Sequence, residues 1–304
     1  MYDSLKIWQS RENLKDSGYL KRVPTLLKNA THSVRTDGKE YMNGNIENLF
    51  ISISENGIAI KGSLNKFWHE DNFCKLTRQE TQLSIEKLQD LLQINLINAS
   101  IKRLDIAHNF IMNEDVNKYY HFLGDSNYYK RLSQPDSVYY NNGLRTKLFY
   151  NKVKEGKVRG LEIPQIWLNS NVLRYELRFM KRLPKQFNKN QVLVSDLYDE
   201  DFYIYTIDYW INEYKEIKKN RLLAPNISNM TSKNSIEYLL SAYIEKYGKS
   251  FAVDFLEMNK NNFSTTKEVS RSKKKLQELK GLTEESPLIK ELDNKILRVQ
   301  EYYR

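Results

Sequence analysis

The chain has 304 residues, enough for one large domain or two moderate ones with a sizeable core. It carries 48 Lys and Arg against 38 Asp and Glu, a net charge of +10. That excess favours a polyanionic partner, nucleic acid or an anionic membrane surface. One cysteine, Cys74, excludes an intramolecular disulfide. No apolar run approaches the roughly 20 residues of a membrane span, and the N-terminus lacks a basic-then-apolar signal pattern. The expectation is a soluble, cytoplasmic protein with no membrane contact.

In chain order, residues 1–39 read as an irregular, charged lead-in with strand character at residues 5–8. Residues 48–62 carry two β-rich runs, LFISIS and IAIKGS, around the turn ENG, which is the pattern of a hairpin. Residues 83–96 have the apolar stripe of an amphipathic helix, with Ser84 as its cap. A strand follows at 101–110 and a second helix at 113–123. Residues 138–140 and 147–150 form another hairpin, and 173–179 a last strand. Beyond Pro184 the spacing turns helical, over 199–219, 235–247, 251–258 and 286–303, with Pro225 and the Asn/Ser-rich residues 226–234 as a linker. The fold class is α+β, an antiparallel sheet backed by helices and followed by a mostly helical region. The predicted division is a domain over 1–183 and a helical region over 184–304.

Charge is uneven along the chain. Residues 118–159 hold nine Lys/Arg, three acids and seven tyrosines. Cations interleaved with aromatics suit a single-stranded nucleic-acid groove, because cations track phosphates and rings stack on bases. A second basic run, 264–280, has six basic residues, Lys273, Lys274 and Lys275 among them, against two acidic.

Three blocks place polar chemistry on strand faces: RLDIAHNF (103–110), SVYYNNGLRTKLFYNK (137–152) and LRYELRF (173–179). Alternation sets Asp105, Ala107 and Asn109 on one face and Leu104, Ile106 and His108 on the other. Arg174, Glu176 and Arg178 likewise share a face. A carboxylate inside a strand needs a partner. For Asp105 and Glu176 that partner is either a cation or a neighbouring arginine such as Arg103, Arg174 or Arg178. Oxygen ligands with few histidines point to Mg²⁺ or Mn²⁺ rather than Zn²⁺. From spacing alone Tyr139 and Tyr140 read as strand packing and base stacking; a nucleophilic tyrosine would need positive charge nearby, which Arg145, Lys147 or Lys152 could supply.

At these residues the chain resembles the rolling-circle replication initiators of phages and plasmids, in the gene II/X-type group and the related Rep_trans proteins. The matching pieces are GSL-x-K-F at 62–67, the RLDIA strand, the SVYY strand with its FYNK block, and the LRYELR strand, in family order. The resemblance implies a ferredoxin/RRM-like nuclease core and a tyrosine that attacks one origin strand. The product is a 5′-phosphotyrosine and a free 3′-hydroxyl, made with the help of a carboxylate-held Mg²⁺ or Mn²⁺. It implies Asp105 and Glu176 as metal ligands, with Asn109 where the family often has a second acid. Tyr139 or the adjacent Tyr140 is the implied nucleophile, and Lys152 a phosphate-facing cation. The implied partners are single- and double-stranded origin DNA and a host helicase. Arg145, Lys147, Arg174, Arg178, Lys273, Lys274 and Lys275 are the expected DNA contacts. Two other classes remain open: a metal-dependent nuclease that activates water, and a non-catalytic DNA-binding regulator.

Overall fold

In the computed structural model, residues 1–14, 18–223, 231–247, 249–278 and 283–303 are described. Eleven strands carry the argument: β1 (Tyr2–Ser10), β2 (Lys28–Val34), β3 (Glu40–Ile46), β4 (Leu49–Ser54), β5 (Gly57–Ser63), β6 (Ser100–Met112), β7 (Leu123–Ser126), β8 (Lys130–Gln134), β9 (Ser137–Asn141), β10 (Arg145–Asn151) and β11 (Asn171–Phe179). All but β7 join one ten-stranded sheet, in the order β2-β3-β4-β5-β1-β6-β11-β10-β9-β8. Every neighbouring pair in it is antiparallel. The α+β expectation holds.

The expected lead-in is instead a central strand. β1 pairs with β5 on one side and β6 on the other, burying Leu5 and Ile7 and leaving Lys6 exposed. Its strength comes from period-two alternation that matches the pleat. The β4–β5 turn packs tightly beneath it. A Cβ at Gly57, whose φ is +141°, would lie 2.1 Å from the Gln9 carbonyl oxygen, so only glycine fits there.

One face of the sheet is covered. Helix Glu200–Lys215, capped by Asp199 accepting from the Phe202 amide, lays Trp210 and Tyr214 against Tyr175 and Phe149. Tyr175 and Phe149 stack with ring centroids 4.4 Å apart. Helix Arg78–Leu92 adds Ile85, Leu88 and Leu92 to the same core. That helix starts earlier than expected because Thr77 and Glu80 form a reciprocal capping box. Ser84 is buried inside it, donating to the Thr81 carbonyl, and is not its cap. The helix expected at 113–123 is shorter, Val116–Tyr120, since Asp115 caps it and Leu123 already enters β7.

The core continues past residue 184. Trp210, Ile211 and Tyr214, and further on Ile289, Leu292, Ile296 and Val299, belong to the cluster that holds Tyr175. Between them stand helices Ser232–Tyr247, Lys249–Met258 and Thr266–Glu278, with Leu222–Leu223 pairing Thr283–Glu284 at their base. Residues 225–230 of the expected linker and 279–280 of the second basic run lie outside the described residues. Among the described residues, no helix is long and apolar enough to cross a membrane.

Candidate active site

Register fixes the site. Tyr139 of β9 lies opposite Leu148 of β10, Leu148 opposite Glu176 of β11, and Glu176 opposite Ala107 of β6. In the next row, Arg178 lies opposite Asp105. The side chains of both rows share the face that helix Glu200–Lys215 does not cover, as alternation requires. Above them lies a cleft of about 640 Å³ lined by Tyr139, Tyr150, Lys152, Asp105, Glu176 and Arg178, among others. Next to Lys152 in the chain, Val153 forms a small apolar cluster with Phe73 and Val172, and Trp167 packs against it.

Three acids on this face each hold an arginine. Arg103 donates to both oxygens of Asp105, at 2.9 and 2.5 Å. Arg178 donates to Glu176 at 2.8 Å. Arg174 pairs with Asp3 of β1 at 2.7 Å, and Ser63 donates to the other Asp3 oxygen. Burial works against an ionised Asp3, yet the Arg174 charge and the Ser63 hydrogen bond hold its carboxyl below the usual range. Asp105 goes the other way. Burial, reinforced by the Glu176 charge and opposed by Arg103, pushes it up to about 7.

Asp105 and Glu176 are the carboxylates here that would hold a divalent cation, each exchanging its arginine for it. They stand on adjacent strands, and part of Asp105's upward push is the repulsion from Glu176 that a cation between them would remove. Asn109 does not fit. Its amide nitrogen donates to the carbonyls of Asn72 and Phe73, and its oxygen accepts from Arg174. Among the described residues, no three His, Cys, Asp or Glu side chains converge as a metal set. Two carboxylates are nevertheless a common Mg²⁺ complement, substrate phosphate and water supplying the rest.

The two tyrosines part ways. Tyr139 is half-buried in the cleft. Tyr140 is fully buried on the covered face, its hydroxyl donating to the Gly124 carbonyl at 2.7 Å, and burial pushes its pKa up. Lys152, first residue of helix Lys152–Val158, is buried at the cleft wall with Glu155 at 2.8 Å. Burial and the Arg174 charge lower its pKa against the pull of Glu155.

Several expected DNA contacts point elsewhere. Lys147 has no exposed surface; it pairs with Glu213 at 2.8 Å and donates to Ser126. Arg145 shares that acid at 2.7 Å. Both lie on the covered face, because β10 puts its odd-numbered residues inward. Arg174 is buried beneath the cleft floor as an anchor for Asp3, Asn72 and Asn109. Arg178 stays 30% exposed in the cleft. Lys273 pairs with Glu257 on helix Lys249–Met258, while Lys274 and Lys275 are exposed on helix Thr266–Glu278. His108 packs at a tilt against Phe110 on the covered face, and burial lowers its pKa to about 3.

Residues 22–201 match the family model for the N-terminal part of the phage gene II replication-associated protein. That span covers more than half of the chain, and the chain belongs to this family of phage replication initiators. A comparison with curated proteins finds no match. The matched residues begin after β1, so Asp3, which anchors the site from the sheet centre, lies outside them.

Proposed function

We propose that this replication initiator nicks and rejoins one strand of origin DNA through Tyr139. The observation that carries the reading is that Tyr139, Glu176 and Asp105 open onto one cleft while Tyr140 is locked in the core. In the reaction, the Tyr139 hydroxyl oxygen bonds to a backbone phosphorus and the bond from that phosphorus to the 3′ oxygen breaks. The products are a 5′-phosphotyrosine and a 3′-hydroxyl. The proton lost by the phenol equals the one gained by the leaving oxygen, so nothing else is consumed. Rejoining is the reverse step, with a 3′-hydroxyl as nucleophile.

Arg178 and Arg103 face the cleft as charge-assisted donors for phosphate oxygens. Lys152 adds a nearby cation, held in place by Glu155. Asp105 and Glu176 would hold a divalent cation, which when bound supplies charge neutralisation at the phosphate. Lys274 and Lys275 offer a separate basic face to duplex origin DNA.

The test is to trap the protein on a single-stranded origin oligonucleotide, digest with trypsin and sequence the peptide spanning residues 132–145 by tandem mass spectrometry. The nucleotide adduct is expected on Tyr139. An adduct on Tyr140, or on no tyrosine, would overturn the assignment.

A further inference from the structure

We propose that the uncovered face of strands β1, β4 and β5 is a track for single-stranded DNA leading into the cleft, a site that rests on the nicking role above. The starting point is an electrostatic oddity. Arg103 of β6 lies directly opposite Lys6 of β1, and Lys6 directly opposite Lys61 of β5. Like charges facing one another across strands destabilise a sheet. Arg103 is answered by Asp105. Lys6 and Lys61 are both exposed and, among the described residues, pair with no acid. A row of unanswered cations repeated over adjacent strands is a surface that a polyanion relieves.

The same row continues to Phe50 of β4, which is 45% exposed. The next row runs Trp8, Ala59, Ser52 across β1, β5 and β4. Half-buried Trp8 and exposed Phe50 thus stand in adjacent rows at the two ends of this face, with small residues between them. That arrangement gives bases a ring to stack on while the lysines take the phosphates, which is how proteins hold single strands without reading sequence. Duplex DNA hides its bases and would leave Trp8 and Phe50 idle. Continuity favours the same answer: Arg103 belongs both to this row and to the cleft wall. At about 4.8 Å per strand, Phe50 stands roughly 14 Å from Arg103, within reach of a few nucleotides. Lys6 and Trp8 lie outside the family-matched residues, so the track is partly a property of this chain's own first strand.

The experiment uses the Tyr139→Phe protein with divalent cations chelated, so that the probes stay uncut whichever group is the nucleophile, and measures binding by fluorescence anisotropy over a salt series. The probes are single-stranded oligonucleotides of about 6 and about 16 nucleotides, spanning the usual site sizes, and a duplex of the longer sequence. Replacing Lys6 and Lys61 together by Gln is expected to weaken binding of the long strand. It should also flatten the slope of log K against log salt by about 1.4, two phosphates at roughly 0.7 each. The short strand, which can fill the cleft while crossing only part of the track, should lose less affinity than the long one. Trp8→Ala is expected to lower long-strand affinity roughly fivefold or more, one lost stacking contact. Lys6→Arg with Lys61→Arg should keep the slope, which guards against a folding artefact. An unchanged slope in the Gln variant, an equal loss for short and long strands, or tighter binding of the duplex would overturn the track. A failure of Tyr139 as nucleophile would leave these binding differences standing, so the two ideas fail separately.

Discussion

Tyr139 and Glu176 stand in one row across the sheet with only Leu148 between them. At about 4.8 Å per strand their backbones are roughly 10 Å apart, and both side chains line the cleft above that row. A phenol and a carboxylate are thereby set two strands apart on one cleft, the spacing on which the proposed nicking role draws.

Tyr140 follows Tyr139 in sequence yet serves the core. Removing its hydroxyl in Tyr140→Phe leaves the Gly124 carbonyl without its buried donor. The expected cost is about 1–2 kcal/mol of stability, read by urea denaturation, with DNA cleavage unaffected. Loss of cleavage in a protein that still melts normally would count against this division of labour.

Asp3 and Arg174 form a close ion pair under the cleft, both buried. Asp3→Ala takes the close acid from the buried Arg174, leaving Glu176 at 3.8 Å, and is expected to cost about 3 kcal/mol, whereas converting both residues to apolar ones of similar size should cost less. A double-mutant cycle by denaturant unfolding measures the coupling. Additive effects would mean that the pair is not the anchor described.

Lys147 and Arg178 make a contrast in salt dependence. Arg178 is open to the cleft and Lys147 is enclosed with Glu213. Arg178→Gln should flatten the salt slope for single-stranded DNA by about 0.7, while Lys147→Met should leave it unchanged. Equal slopes for the two variants would contradict the assignment of faces.

Asp105 makes a prediction about pH. Its folded pKa of about 7 lies above the ordinary carboxylate value, so between about pH 4 and 7 the folded chain holds a proton that the unfolded chain has released. Its contribution is therefore favourable in acid and lost as pH rises through 7. Asp105→Asn should raise the melting temperature at pH 8 relative to its effect at pH 5, by roughly 2–6 °C. Mn²⁺ should stabilise the wild type at pH 8 and do so less in the variant. A variant that is equally affected at both pH values would contradict the raised pKa.

How much of this is legible in the sequence depends on whether the deciding partner is local. Alternation alone groups Asp105 with Asn109 and Glu176 with Arg174 and Arg178, but only the register of β6 on β11, with Arg178 opposite Asp105, puts the two acids on one face. The separation of Tyr139 from Tyr140 follows from the same rule, but only the sheet's covering helix decides which face is core. Lys147 reads as a surface cation because Glu213, which answers its charge, lies on a helix far along the chain. β1 reads as an irregular lead-in because its partners β5 and β6 are remote in sequence, and Asp3 is hidden with it. Ser84 looks like a helix cap until Thr77 and Glu80 are seen closing the helix well before it.

The most direct measurement is a single-turnover reaction with labelled single-stranded origin DNA and Mn²⁺, resolved on a denaturing protein gel for wild type, Tyr139→Phe and Tyr140→Phe. A covalent protein–DNA band is expected in wild type and Tyr140→Phe and is expected to be absent in Tyr139→Phe. A band that survives Tyr139→Phe, or cleavage with no covalent band in any of the three, would contradict Tyr139 as the nucleophile.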